Sequence, residues 1–185
     1  MWIRIDVDFA VALENKKISA ALNLYKMKTG LPIPFFLNHV KETKKFLLNY
    51  HDIPRIWFFR WFSCPKEFDE PFGLHVTNPE TFDKEHKIVK SKLGEFQYFT
   101  RHGFSKRASG RIWKAEEIRF FEKKYHVKDL SDMPHLTISR HNLAMFDLSN
   151  LNHILFHPYL IQSHKEGLRK ILNILKELSS RPLER

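Results

Sequence analysis

Short apolar runs alternate along this chain with longer stretches in which apolar residues recur every three or four positions. Trp2 to Phe9 opens as a strand, with Arg4, Asp6 and Asp8 interrupting it at every second position. Ile56 to Phe62 is an almost continuous apolar run, the pattern of a strand buried on both faces. Pro34-Phe35-Phe36-Leu37, Phe72 to Val76, Phe96 to Thr100 and Asn152 to His157 read as further strands. Two more are predicted around Leu136-Thr137-Ile138 and Ala144-Met145-Phe146. Helical periodicity covers Lys16 to Lys28, Val40 to Tyr50, Pro79 or Glu80 to Leu93, Lys114 to Tyr125 and Lys165 to Leu178. Gly30 and Gly94 stand as stops after the first and third of these helices. Helices alternating with short buried strands predict βαβ units and a mostly parallel sheet. No linker or internal repeat divides residues 1–185, so the expected fold is a single α/β domain, a barrel or partial barrel.

Composition narrows the classes. A hydrophobic content of 43% with 6 glycines fits a packed core rather than a disordered chain. The single cysteine, Cys64, excludes an internal disulfide and a thiolate zinc knuckle. No apolar run approaches the roughly 18 residues of a membrane span. Charged Arg4 and Asp6 break the first apolar stretch, so a signal peptide is not expected and the chain reads as cytoplasmic. The net charge of +10 raises nucleic acid as a partner. The lysines are spread over the outer faces of several predicted helices, and no segment interleaves them with aromatics. The lysines therefore read as a solvated surface, with an anionic partner or substrate as the alternative, and nucleic acid is not expected.

Candidate chemistry collects just after strands. Asp6 and Asp8 lie two residues apart, so they share one face of the first strand near its C-terminal end. His75, Arg101, His102, Asp147 and His157 follow later strands in order. In a barrel those strand ends form one rim, and residues distant in sequence converge there. Carboxylate and imidazole donors suit zinc or another divalent ion, which lowers the pKa of bound water and polarises a carbonyl.

These segments resemble the polysaccharide deacetylases of the NodB-homology type over nearly the whole chain. Arg4-Ile5-Asp6-Val7-Asp8 looks like the family's first motif, and Pro34-Phe35-Phe36-Leu37 occupies the place of its second strand. Gly73-Leu74-His75 is similar to the segment carrying the first metal histidine. Phe99 to Gly103 stands at the arginine motif, and Leu155-Phe156-His157-Pro158-Tyr159 at the terminal histidine motif. The resemblance implies a distorted (β/α) barrel and a metal-dependent deacetylase acting on a carbon–nitrogen bond of a sugar or related substrate. It casts Asp6 as general base, Arg101 as the group orienting it, and His157 as the acid for the leaving amine. Asp8 and His75 become metal ligands, for zinc or alternatively cobalt or manganese.

The family's second metal histidine is replaced by Pro79 in this chain. His102 is the expected substitute, ahead of His86 in the following helix and of the Asn78 side-chain oxygen. Trp61, Tyr98 and Trp113 are candidate faces for a sugar ring. Two alternatives stand beside the hydrolase: a non-catalytic scaffold of the same fold that binds a glycan or protein, and a nucleotidyltransferase resembling the primase-polymerases, whose acid pairs hold metals.

Overall fold

The computed structural model describes residues 1–7, 34–76, 78–101, 112–133, 135–137, 153–158, 161 and 165–180. Seven strands make one sheet: β1 (Trp2–Val7), β2 (Arg55–Phe59), β3 (Phe72–Val76), β4 (Tyr98–Arg101), β5 (Lys128–Asp129), β6 (His135–Thr137) and β7 (His153–Phe156). Among the described residues four α-helices accompany them: α1 (Pro34–Leu47), α2 (Phe82–Leu93), α3 (Ala115–Tyr125) and α4 (Lys165–Ser180). Among these helices none is long and apolar enough to cross a membrane.

Every strand pairing is parallel, and the order across the sheet is β5-β4-β3-β2-β1-β7-β6. That order is the cyclic sequence of a barrel opened between β5 and β6. Chain length enforces the curl. From Asp129, the end of β5, to His135, the start of β6, the backbone can reach roughly 22 Å. The outer strands of a flat seven-stranded sheet would stand roughly 29 Å apart. The sheet therefore bends into a half-barrel that brings its two edges toward each other.

Strand parity separates the two faces. Ile3, Ile5, Val7, Trp57, Phe59, Leu74, Val76, Phe99, Ile154 and Phe156 face outward into one buried core. Val40 and Leu47 of α1, Phe82 and Val89 of α2, Phe121 of α3, and Leu168, Ile171, Leu172 and Leu175 of α4 complete it. Local chemistry sets the helix ends. The Asn78 side-chain oxygen accepts from Thr81 N at 3.0 Å ahead of α2, and Gly94, at φ 94°, ends that helix with its N–H on Lys90 O. Glu117 accepts from the Lys114 N–H at 2.9 Å to begin α3.

Two expected elements differ. Pro34 to Leu37 is not a strand but the first turn of α1; a four-residue apolar run fits either state, and Pro is well suited to a helix start. β2 ends at Phe59, where residues 61–63 turn and Ser63 Oγ donates to Val7 O at 2.7 Å. The helix expected at 16–28 and the strand at 144–146 lie outside the described residues. β5 carries no apolar alternation that would have announced it.

Candidate active site

The concave face of the half-barrel carries the polar strand residues Arg4, Asp6, His75 and Thr100, whereas the outer face carries the apolar core. Asp6 is paired in register with Phe58, Phe58 with Gly73, and His75 with Thr100, so these side chains share the inner face. Arg4 lies opposite Leu155 on the same face. An arginine and an aspartate within a buried strand require partners, and here they supply each other. Arg4 Nε donates to Asp6 Oδ1 at 2.9 Å and Nη2 to Oδ2 at 2.7 Å, with the residues 3% and 2% exposed. The guanidinium also sits 5.6 Å from the centre of the Phe58 ring.

Gly73 makes that seat possible. A Cβ on residue 73 would come within 2.6 Å of Phe58 Cε1, and closer still to the Tyr98 carbonyl oxygen. The ring fills the space a side chain would need, and Arg4 rests against the ring. The Gly73-Leu74-His75 segment thus carries a packing requirement two residues ahead of its histidine.

His75, 2% exposed, comes from the C-terminal half of β3. Its Nδ1 lies 2.8 Å from Thr100 Oγ1 and 3.8 Å from Asp6 Oδ2. His157, just past β7, is near enough to act electrostatically on the same carboxylate. Burial pushes the pKa of Asp6 up, but the Arg4 charge and hydrogen bonds, with His75 and His157, outweigh it and hold the carboxyl below its ordinary range. Asp6 is accordingly a fixed anion facing two imidazoles. Each of its oxygens retains acceptor capacity beyond its one bond to Arg4.

Of the residues expected at the rim, the structure brings together Asp6, His75 and His157. Asp8 and His102 lie outside the described residues, as does Asp147. Arg101 does not orient the base. It is opposite Val76, on the outer face, where Nε donates to Asp129 Oδ2 at 2.6 Å and Nη2 to Asp132. A one-residue step along a strand changes faces, and Arg101 is one step past the inward-facing Thr100. The guanidinium that grips Asp6 is Arg4.

The three aromatic candidates separate as well. Trp61 is half-buried just beyond β2, at the rim end, edge-on to Phe62 and with Lys84 Nζ 5.9 Å from its ring. Tyr98 begins β4 and lines a cavity at the opposite, N-terminal end of the strands. Trp113 is core, 7% exposed and packed edge-on to Phe82 and Phe121. His86 stacks on Tyr125 at 4.0 Å, between helices rather than at the rim, and the Asn78 oxygen is used in the turn before α2.

Among the described residues no group of three or more His, Cys, Asp and Glu side chains could hold a metal ion. Of the expected metal ligands, His75 is the one that lies among the described residues. Its Nδ1 meets Thr100 Oγ1, a contact that fixes the ring as the outer partners of metal-bound histidines do. Asp6 has both of its oxygens bound to Arg4.

Arg4 and Thr100 are the site residues that motif reading passes over. Arg4 was discoverable: it lies two residues before Asp6 in an apolar strand, hence on the same face. Thr100 offers no such signal, because its role depends on the β3–β4 register. Among known proteins, no family model matches this chain, and no curated protein or solved structure shows significant similarity to it.

Proposed function

We propose that the rim is the active site of a divergent deacetylase of the NodB-homology type, which removes an acyl group, acetyl above all, from the amide nitrogen of a sugar or related substrate. The observation that carries the reading is the approach of Asp6 and His75, 3.8 Å apart on the inner face of a cyclically ordered parallel half-barrel. Two strands that are not neighbours deliver them to one end, with His157 arriving from a third. A divalent ion, zinc in the first instance, would be held by His75 and Asp8, with His102 in place of the missing histidine. Bound there, it would supply Lewis acidity and an activated water.

The chain's own part is proton handling. Asp6 accepts the proton of the attacking water while Arg4 holds the carboxylate in place. His157 delivers a proton to the departing amine, without which the C–N bond does not break. Trp61 is the rim aromatic suited to a sugar ring.

The closed Arg4–Asp6 pair also favours a second reading, a binding scaffold in which the aspartate is structural. Elemental analysis after incubation with zinc, cobalt or manganese separates them, combined with acetate release from N-acetylglucosamine oligomers. The deacetylase predicts near-stoichiometric metal, lost in His75→Ala and Asp8→Ala. Asp6→Asn should keep the metal and lose acetate release. Absence of metal under all three conditions would refute the hydrolase and leave the scaffold.

A further inference from the structure

We propose a second binding site at the opposite end of the half-barrel, for a small amphiphilic acid with an apolar body and one anionic head. A cavity of about 870 Å³ opens at the N-terminal ends of the strands, within the size range of small-molecule sites. Trp2, Ile56 and Tyr98 from the starts of β1, β2 and β4 form one part of its wall. Leu130 and Met133, from the segment between β5 and β6, form another. Aromatic rings and an unbranched thioether give a surface that adapts to an alkyl chain or a flat ring.

Charge selects the head group. Among the described residues, the two acids lining the cavity are already neutralised: Glu70 accepts from Arg55 at 2.5 Å and from the Trp57 indole at 2.9 Å, and Asp69 is paired with Lys44. Arg55 is likewise consumed by Glu70, and it also donates to the Tyr50 carbonyl at 3.2 Å. Among the described residues, the remaining basic groups of the lining are the imidazole of His51, Lys128 and the α-amino group of Met1, and Lys128 has no carboxylate partner there. An apolar groove whose uncommitted charges, among the described residues, are the ammonium groups of Lys128 and Met1 suits an organic anion and disfavours a cation. The site does not rest on the hydrolase reading, since it lies at the far end of the strands from Asp6.

The test is fluorescence titration of the whole chain with 1-anilinonaphthalene-8-sulfonate, an aromatic anion whose emission rises in apolar surroundings. Displacement follows with dodecanoate, 1-dodecanol and dodecyltrimethylammonium below their micelle-forming concentrations. The expected result is one saturable site, with dodecanoate displacing the probe at a concentration roughly fivefold lower than the alcohol, the scale of one exposed charge pair. The ammonium should be weakest. Lys128→Gln should reduce the preference for dodecanoate, and Met133→Trp, which occupies part of the groove, should reduce binding of all three. Thermal melts of both variants within a few degrees of the parent would show that the fold is intact. Saturable binding that neither variant alters, no saturable binding, or equal displacement by all three head groups would overturn the proposal.

Discussion

Replacing Arg4 with methionine keeps most of the stem that lies against Phe58 but strips Asp6 of both its guanidinium bonds. A buried carboxylate left without its partner costs about 3–5 kcal/mol. In a chain of this size that lowers the melting temperature by roughly 6–20 °C. The loss has a defined pH dependence. In the parent, the Asp6 pKa lies below its unfolded value, so its contribution is complete above about pH 4 and is lost only as pH falls through the folded value. In Arg4→Met, burial acts with less opposition and raises the carboxyl. The penalty is then greatest at pH 7.5 and shrinks as the pH approaches 4.5, where the buried group can be neutral. Urea denaturation followed by circular dichroism at those two pH values measures both effects. Arg4→Met/Asp6→Leu should recover most of the stability, because removing both charges leaves none stranded. Three results would each refute the reasoning: a single-variant cost under 1 kcal/mol, an equal cost at both pH values, or a double variant as unstable as the sum of its singles.

Gly73→Ala should cost about 2–3 kcal/mol in the same denaturation assay, because its Cβ meets the Phe58 ring and the Tyr98 carbonyl. Adding Phe58→Leu should give only partial relief, since the backbone oxygen remains; full rescue would show that the ring alone imposes the glycine. Cys64 is buried, and burial raises its thiol pKa to about 12. It should therefore resist a disulfide reagent at pH 8 in the native protein and react stoichiometrically in urea; rapid native reaction would contradict the placement.

What the sequence disclosed, and what it withheld, follows from the range of each signal. β3, α2 and α3 are legible because their patterns end in nearby residues, as Gly94 ends α2. The pairing of faces was legible at Asp6, whose spacing from Arg4 already placed the two together. Arg101 was misplaced because a motif position carries no parity, and the face of β4 follows from its register with β3. Tyr98 and Trp113 show a similar limit. An aromatic beside a strand reads the same whether it begins β4, enters the core or edges a rim, and tertiary packing makes the choice. Pro34 to Leu37 lacked the length to separate helix from strand.

The pairing of β1 with β7 has a consequence for how the chain is made. One edge of β1 joins β2, but the other waits for His153 to Phe156, far along the sequence. At synthesis rates of about 5–20 residues per second, that edge stays unpaired for roughly 8–30 s after it emerges from the ribosome. During this interval the chain presents an apolar strand with free backbone donors and acceptors, the kind of template on which nascent chains aggregate. Leu168, Ile171, Leu172 and Leu175 of α4, which close the core over the outer face, emerge later still. Folding of this half-barrel is thus tied to the arrival of its C-terminal quarter, and its vulnerability in the cell belongs to the time before that arrival rather than to the finished protein.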